Sequence, residues 1–421
     1  MAGQRFRIAR ALRHRNYRLF FAGQSVSLIG TWLSKFAISW MAYRLTGSAL
    51  MLGLVTFCSN APTSLIAPFA GVLVDRWNRR RTIIWTQVAA CTQSAALAVF
   101  ALAGWMTVWH LMLLGAVQGV INAFDMPARQ SFLRELLDER ADLPNAIALN
   151  SSMVNVAKLI GPVTAAALVG LYGEGWCFAL DAASYVAVLA SLFAIKIANP
   201  APVLARASVR VQLAEGFRYV SGTPLVRAIL VLLAVISVFA GPYISLLPAV
   251  AAEHLGGGAY TLGILMASGG LGALTGALYL ASRSSVVGLG GVIANTGLVL
   301  GIGLVGLEAA RSIWIAAPIL FAVGLSMMVQ MAATNTIVQT IVDPSMIGRV
   351  MSLYAVAFSG GMPLGAFFEG AIASRVGAVH TLAGAGVLCL VASMVFRRAL
   401  PALRAASRPR YVELGLIRTG G

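Results

Sequence analysis

The chain has 421 residues, of which 59% are hydrophobic and 11% are charged, and its mean hydropathy is +0.84. A chain of this composition cannot bury its apolar surface against itself, so the sequence excludes an ordinary water-soluble globular protein and predicts one that uses lipid as solvent. The net charge of +17 would also suit a nucleic-acid-binding protein, but no polar segment is long enough to hold the basic residues as one domain. We therefore expect no nucleic-acid partner.

The hydropathy pattern predicts twelve apolar segments of about 20 or more residues, the length that a helix needs to cross the hydrocarbon core of a bilayer. Short polar connections such as Thr46-Gly47-Ser48 separate most of them. We number these segments spans 1 to 12 in chain order, at residues 18–44, 50–74, 82–105, 109–134, 144–171, 175–197, 225–251, 260–282, 286–308, 312–341, 347–374 and 379–398. The sequence therefore predicts an all-α membrane protein.

The longest connection, rich in proline and charge, lies in the middle of the chain and predicts a linker between two six-helix bundles. A repeat supports this division, because Leu136-Leu137-Asp138 and Ile341-Val342-Asp343 each close a long span and precede a turn. Equivalent helices then run in the same direction, which predicts two pseudo-symmetric parallel bundles. The expected boundaries are an N-terminal arm at 1–17, bundles at 18–197 and 225–398, the linker at 198–224 and a tail at 399–421.

The basic residues are distributed unevenly among the predicted loops. Most of the 31 arginines and lysines fall in the N-terminal arm, the turn after span 2, the linker and the tail, and only Arg44, Arg311 and Arg375 lie in the opposite loops. Cytoplasmic loops of membrane proteins carry an excess of arginine and lysine, so both termini are expected in the cytoplasm. There the arginines would meet anionic membrane lipid.

The turn between spans 2 and 3 reads GVLVDRWNRRR from Gly71 to Arg81. Asp75 is expected to face the unpaired amides at the start of span 11, where a carboxylate gains about 0.3 to 1 kcal/mol. Gly71 would let spans 2 and 11 approach, and Ser345 would cap span 11. We call this expected gating contact the latch, with the residues Gly71, Asp75, Arg76, Arg80, Arg81, Arg129, Ser345 and Arg349. The alternative is that the arginines of the turn only set the topology.

This turn resembles the signature loop of the major facilitator superfamily, Gly-x-Leu-x-Asp-Arg-x-Gly-x-Arg-Arg. Asn78 stands at the family's second glycine, and asparagine best tolerates the left-handed conformation that glycine would supply. Other segments are similar to the branch of this family that includes the enterobactin exporter and macrolide efflux pumps, among them Gly30-Thr31-Trp32, Phe124-Asp125-Met126-Pro127 and Gly348-Arg349-Val350-Met351. The resemblance implies the major facilitator fold and a proton-linked exporter in a bacterial inner membrane.

Polar residues inside the spans predict the path of the substrate and the proton, because lipid makes each one costly unless it faces a cavity or a partner. In span 4 they recur at the spacing of one helical face. We expect polar stripes on spans 1, 4 and 5 to form one wall of this path. The candidate path residues are Gln24, Thr31, Lys35, Gln118, Asn122, Asp125, Asn155, Lys158, Tyr243, Gln330, Asn335 and Glu369.

The charged residues of this path have more than one possible role. Asp125 and Arg129 lie one helical turn apart, so they form a structural or gating pair, or Asp125 carries the proton, or Arg129 joins the latch. Glu369 has no cationic partner nearby in sequence and is the second candidate proton carrier. Lys35 and Lys158 are two of only three lysines in the chain and favour an anionic or carbonyl-rich substrate.

Two sites are expected to let helices pack closely, and one ion pair is expected to serve the scaffold. The packing sites are Gly161 and Pro162 in span 5 and Pro363 and Gly365 in span 11. Asp181 in span 6 is expected to form a structural pair with a lysine of span 5.

Enzyme motifs are missing from the sequence. None of the three lysines follows a glycine, so the phosphate loop of ATPases is absent, and the four cysteines lack disulfide or zinc spacing. We therefore expect no catalytic residue, no cofactor and no metal.

The sequence thus predicts a monomeric secondary transporter that exports a small organic molecule, such as a siderophore, a drug or another amphipathic metabolite, in exchange for protons by alternating access. An importer and a lysolipid flippase are alternatives on the same fold. A transport-inactive membrane receptor or scaffold is an alternative of another class, although the charges inside the spans argue against it.

Overall fold

The structure is a computed structural model that describes residues 10–196, 209–283 and 285–415. This part of the chain is mostly helical and contains no strand. Eleven of its helices are long and apolar enough to cross a membrane. Span 1 is 32 residues long but is not among them, because polar residues such as Gln24 and Lys35 interrupt its apolar run. The predicted all-α membrane fold is confirmed.

The first six spans are helices whose ends are set by local capping residues. Thr107 and His110 form a capping box at the start of span 4, and Gly47 ends span 1 with a left-handed φ of 57°. Spans 1 to 6 extend over Arg15–Thr46, Ala49–Arg76, Arg79–Leu102, Val108–Phe132, Leu143–Tyr172 and Glu174–Ala194.

Two spans of the second half are interrupted. Span 7 breaks before Tyr243, at a proline whose ring nitrogen cannot donate a hydrogen bond, and ends in a π-helical turn. Span 12 continues without a break to Glu413, so no change of structure marks the predicted start of the tail. Spans 7 to 12 extend over Pro224–His254, Ala259–Ala281, Leu289–Ala309, Ile313–Ile341, Ile347–Val376 and Ala378–Glu413, with a second π-helical turn at Val356–Gly360 in span 11.

The described part of the linker is a helix at Val209–Gly222, which we call the linker helix. It packs against the start of span 11, where Arg349 pairs with Glu215 at 2.7 Å. The Tyr219 hydroxyl accepts a hydrogen bond from the backbone N–H of Asp343 at 3.2 Å. Arg349, which was expected in the latch, therefore holds the linker helix. The first part of the predicted linker and of the N-terminal arm lies outside the described residues.

The described residues form two compact units. The first unit contains span 1, span 2 from Cys58 onward and spans 3 to 6, together with Gly258–Ala267. The second contains Ser48–Phe57, the linker helix, span 7 and the rest of the chain from Ser268. The start of span 2 thus packs with the second half of the chain, and the start of span 8 packs with the first. The bundle boundaries expected from the sequence stay a prediction.

Small residues allow the starts of spans 2 and 8 to pack closely against their neighbouring helices. A Cβ atom on Gly53 would lie 2.4 Å from the backbone oxygen of Ala366 in span 11. A Cβ atom on Gly263 would lie 2.4 Å from the Cβ of Ala166 in span 5. Only residues without bulky side chains permit such short distances between helices. The close approach of spans 2 and 11 that was expected at Gly71 stays a prediction.

Two capping expectations were wrong. Asn78 is not left-handed but extended, with φ −69°, because it caps span 3 and its side chain accepts a hydrogen bond from the Arg81 backbone at 3.0 Å. Ser345 does not cap span 11, because the backbone N–H of Met346 bonds to the oxygen of Asp343 at 2.8 Å and closes a turn first. The cap position of span 11 is Met346, which makes no side-chain cap, and the helix begins at Ile347.

A charged cluster ties the start of span 1 to the turn before span 5. His14 is buried and bridges two carboxylates, with Nδ1 2.8 Å from Asp138 and Nε2 2.9 Å from Asp142. Asp142 is fully buried and also pairs with Arg10 and, at 2.9 Å, with Arg13. We call these five residues the His14 cluster. The sequence analysis missed it, because its members are more than 100 residues apart along the chain.

The pKa values within the His14 cluster move in opposite directions. Burial works to lower the pKa of His14, but hydrogen bonds to Asp138 and Asp142 outweigh it and raise the pKa above its ordinary value of 6.5. The hydrogen bond from His14, aided by Arg10 against the cost of burial, lowers the pKa of Asp142 below 3.8. The stability that His14 contributes is therefore complete below pH 6.5 and is lost as the pH rises through the raised pKa of His14. The stability from Asp142 is complete above pH 3.8 and is lost as the pH falls through the lowered pKa of Asp142.

Replacing His14 with glutamine is therefore expected to lower the unfolding temperature more at about pH 6 than at about pH 9. Thermal unfolding of the full-length protein in detergent measures this difference. His380→Gln is the control, since His380 contacts a single, half-exposed acid, Glu308, at 2.9 Å. An equal loss of stability at both pH values would show that His14 is not charged in the folded protein.

Candidate functional site

A cavity of about 240 Å³ lies inside the first unit, among spans 1, 3, 4 and 6. Its volume is below the range of about 300–1,000 Å³ that encloses a drug-sized ligand, so it has room only for water or for one group of a larger molecule. The predicted residues that line it are Thr31, Lys35, Gln118, Asn122, Asp125 and Arg129. Spans 3 and 6 add Gln87, Gln93, Asp181 and Tyr185. Span 5 adds no described residue to the lining of this cavity. The substrate-path wall expected on spans 1, 4 and 5 stays a prediction.

Asp125 is the most heavily hydrogen-bonded acid of this cavity. It is 5% exposed, and its Oδ1 accepts hydrogen bonds from Thr86 at 2.7 Å and from Gln87 at 2.9 Å. Its Oδ2 lies 2.5 Å from Nε of Arg129, one turn further along span 4. Donors on two helices thus compensate the burial of a negative charge at this position.

Arg129 joins span 4 to span 1. Its Nη1 donates a hydrogen bond to the side-chain oxygen of Gln24, which is fully buried. Nearer the other end of the polar stripe of span 4, the Gln118 side chain donates a hydrogen bond to the Asn122 side chain at 3.0 Å. The expected local pair of Asp125 and Arg129 is therefore present and is extended to a second helix by the predicted path residue Gln24.

Two lysines share one indole ring beside the cavity. The Lys35 ammonium lies 4.7 Å and the Lys158 ammonium 5.7 Å from the ring centre of Trp32. Both distances are within the range of about 6 Å for cation–π attraction. Lys35 is exposed, whereas Lys158 is half-buried. We call Lys35, Lys158 and Trp32 the lysine pair site; it presents two positive charges and an aromatic face.

Asp181 does not form the structural pair expected for it. Among the ion pairs of the described residues, none joins Asp181 to Lys158. Ser94 of span 3 instead donates a hydrogen bond to Asp181 Oδ2 at 2.7 Å. Asn155, the other predicted residue of span 5, donates to the Ser151 backbone of its own helix at 3.0 Å. The two positive charges of the lysine pair site are therefore not neutralised by a direct contact with Asp181 or with Asn155.

Gly161 lets span 5 pack closely against Trp32. A Cβ atom on Gly161 would lie 2.3 Å from the Cβ of Trp32, far inside van der Waals contact. Its neighbour Pro162 is buried. In span 11, Pro363 is buried, and a Cβ on Gly365 would lie 2.0 Å from the backbone oxygen of Val238 in span 7.

Gly161→Ala is expected to lower the stability by about 1–3 kcal/mol, the usual cost of overpacking, and to displace Trp32. Thermal unfolding in detergent measures the loss. Gly170→Ala is the matched control in the same helix, because a Cβ there meets nothing within 4 Å. If both variants unfold at the same temperature, Gly161 does not set the position of Trp32.

The predicted path residues of the second unit do not line the described cavity. Tyr243 is buried at the start of the second part of span 7. Gln330 is buried and accepts a hydrogen bond from Thr296 at 2.8 Å, whereas Asn335 is bound to Gln339 of the same helix at 2.6 Å. The partner of Gln330 thus lies on span 9, and the partner of Asn335 lies on span 10 itself.

Glu369 is the exception among the acids. It is 4% exposed, and within the described part of the chain neither carboxylate oxygen has a hydrogen-bond partner. Burying an ionised carboxylate without compensation costs several kcal/mol. This position therefore favours a neutral carboxyl group.

The arginines of the turn after span 2 have separate environments. Arg80 donates to the backbone oxygens of Leu192 at 3.0 Å and Phe193 at 3.3 Å, at the end of span 6. Arg76 and Arg81 are exposed. The side chain of Asp75 lies outside the described residues, so its part in the latch stays a prediction.

Solved structures share this architecture. A bacterial homologue of the human lysosomal transporter Spinster has a TM-score of 0.68 at 16% identity, over 96% of this chain and 98% of that chain. A peptide transporter of the POT type, solved with sulfate, has a TM-score of 0.72 at 12% identity, over 93% and 95%. At such identities the likeness shows the fold alone. This chain therefore has the same fold as these solved membrane proteins.

The family follows from the sequence match. The family model described as transmembrane secretion effector matches residues 9–413, nearly the whole chain. The chain belongs to this family of major facilitator transporters and is not an enzyme.

Curated bacterial relatives of this chain are named as exporters or transporters. It is 25% identical to macrolide efflux protein A of Streptococcus pyogenes, over 90% of this chain and 96% of the relative. It is 23% identical to the staphyloferrin A transporter of Staphylococcus aureus, over 90% and 95%. It is 26% identical to the enterobactin exporter of Shigella boydii, over 93% of both chains. The resemblance to efflux transporters is thereby confirmed.

Proposed function

We propose that this protein exports a small anionic organic molecule of the siderophore class in exchange for protons. It would work as a monomer in a bacterial inner membrane, with both termini in the cytoplasm. The observation that carries the proposal is the lysine pair site, because ammonium groups inside spans 1 and 5 are costly unless they bind something.

The chemistry of the lysine pair site favours one of the substrates named for the relatives. Enterobactin carries acidic hydroxyl groups, and Lys35 and Lys158 offer two positive charges held over the Trp32 ring. A macrolide with a protonated amino sugar would be repelled by the same charges. The site thus supports an anionic siderophore over a cationic drug.

The proton is assigned to Glu369 in this proposal, and Asp125 to the structural pair with Arg129. Asp125 has three polar partners that stabilise its ionised form. Glu369 has none, so a neutral carboxyl is stable where it lies and would release its proton when water or a cation reaches it. A carboxyl group that is alternately buried without a partner and reached by water or a cation is suited to carry a proton.

The latch is kept as part of the proposed cycle. Asp75 is proposed to hold the cytoplasmic side closed, and the exposed side chains of Arg76 and Arg81 are proposed to set the topology. The distinguishing property of a latch is that its loss slows turnover more than it weakens binding.

Secretion from a bacterium that lacks its own siderophore exporter tests the proposed substrate class. Expression of this protein is expected to raise the enterobactin in the medium and to leave the inhibitory concentration of a macrolide unchanged. Lys35→Gln should abolish the rise, while Lys196→Gln, at an exposed position just after span 6, should not. Macrolide resistance without siderophore secretion would overturn the proposed substrate class.

A further inference from the structure

We propose that the cavity among spans 1, 3, 4 and 6 binds an uncharged amide group of the substrate, and that Gln87 selects for this group. The inference rests on the proposed function, in which the lysine pair site binds the acidic part of the same substrate. The cavity has a volume of about 240 Å³, and both Gln87 and Lys35 line it. It therefore has room for one amide beside the lysine that binds the acidic part.

The side-chain oxygen of Gln87 is a buried hydrogen-bond acceptor without a partner. Gln87 is 1% exposed, and its Oε1 makes no hydrogen bond within the described part of the chain. Its Nε2 donates to Asp125 at 2.9 Å, and because a carboxylate only accepts, this bond fixes which end of the Gln87 amide is the oxygen. A buried acceptor that lacks a hydrogen bond is destabilising. A donor that enters the cavity would complete the hydrogen bonding of Gln87.

Other side-chain amides of the cavity wall already donate to partners inside the chain. The amide of Gln93 donates to the backbone oxygen of Leu114 at 3.1 Å. The amide of Gln118 donates to the side-chain oxygen of Asn122 at 3.0 Å. Neither donor can reach the Gln87 oxygen without giving up its own hydrogen bond. The group that binds here from outside the chain is therefore expected to bring a donor.

The charges that line the cavity favour a group with a dipole and no net charge. Asp125 and Arg129 pair with each other at 2.5 Å, so their charges offset one another. The other lysine and acid among the described lining residues, Lys35 and Asp181, have opposite charges. An amide presents a carbonyl oxygen that suits Lys35 and an N–H that suits Gln87.

Other groups of similar size fit the cavity less well. An ammonium group would be repelled by Lys35, and a carboxylate would be repelled by the unpaired oxygen of Gln87. Water can donate to Gln87 while no substrate is bound. An analogue without the amide N–H would displace this water without replacing its hydrogen bond, so it would bind more weakly than the amide.

Enterobactin and an analogue with methylated amide nitrogens test this inference. The aromatic groups of enterobactin are attached through amide bonds, and methylation removes the N–H donors while the acidic hydroxyls remain. Equilibrium binding to the purified full-length protein in detergent measures the preference between the two ligands. We expect the wild type to bind enterobactin more tightly by about tenfold or more. Gln87→Leu, which lacks the acceptor, is expected to bind the two ligands about equally, and Gln87→Met is a second variant in case the first fails to fold.

Thr86→Val is the matched control for the support that Gln87 gives to Asp125. Thr86 donates to the same oxygen of Asp125, at 2.7 Å, but it is not among the residues that line the cavity. This variant weakens the hydrogen bonding of Asp125 and leaves the oxygen of Gln87 in place. Its ratio of affinities for the two ligands is therefore expected to equal that of the wild type. An equal loss of the preference in Thr86→Val and Gln87→Leu would overturn the selective role of Gln87.

The remaining outcomes separate this inference from the proposed function. Equal binding of the two ligands by the wild type would overturn the amide site alone, provided that Lys35→Gln still weakens the binding of enterobactin. A preference that persists in Gln87→Leu would also overturn it, because the N–H would then be recognised elsewhere. Binding of neither ligand by the wild type would overturn the proposed substrate class and the amide site with it.

Discussion

Lys35→Gln is expected to weaken the binding of enterobactin by about 10- to 100-fold, the effect of losing a hydrogen bond between charged groups. Lys35 is the exposed member of the lysine pair site, and its ammonium lies 4.7 Å from the centre of Trp32. Equilibrium binding to purified protein measures the change. Lys196→Gln is the matched control, because Lys196 is the only other lysine of the chain and is exposed just after the end of span 6.

Replacing Lys158 as well makes the binding test of the lysine pair site more specific. Lys35 and Lys158 share Trp32, so their replacements are expected to be non-additive, as is usual for residues that act on one group. A macrolide should bind no more weakly to either variant than to the wild type. Equal losses in Lys35→Gln and Lys196→Gln would contradict a specific role for the lysine pair site.

Glu369→Gln is expected to abolish transport driven by a pH gradient while leaving exchange of substrate across the membrane intact. The amide cannot release a proton, yet it has nearly the same shape as the neutral acid that fits this buried position. Driven uptake and substrate exchange in proteoliposomes measure the two activities separately. Glu308→Gln is the control, since Glu308 is half-exposed and already paired with His380.

The contrast with Asp125 separates a proton carrier from a structural acid. Asp125→Asn removes the charge that holds Arg129 and is expected to reduce both driven transport and exchange. If Asp125→Asn loses only the driven activity and Glu369→Gln keeps it, the proton roles of the two acids are reversed.

The spans and the fold could be predicted because their signal is local. A run of about 20 apolar residues suffices to define a membrane helix, and the repeat fixes how the halves correspond. The break in span 7 before Tyr243 and the length of span 12 were missed. Span 12 continues past Arg397 as a helix to Glu413, although Pro401 and Pro409 lie within it.

The site was predicted less completely, because its partners come from distant parts of the chain. Asp125 and Arg129 lie one turn apart and their pair was foreseen, but Thr86 and Gln87 belong to another helix. Polar residues in the apolar run of span 3 were the signal that could have revealed them. Asn78 shows a further limit, since the same residue type suits both a left-handed turn and a helix cap.

Uptake of enterobactin into proteoliposomes under an imposed pH gradient tests the central claim of proton-coupled export most directly. With the protein oriented so that its cytoplasmic face is outward, we expect accumulation when the lumen is acidic, and loss of accumulation when a protonophore collapses the gradient. Accumulation that continues unchanged after the gradient has collapsed would contradict proton coupling. Failure to transport enterobactin in either condition, by protein that still binds it, would contradict export.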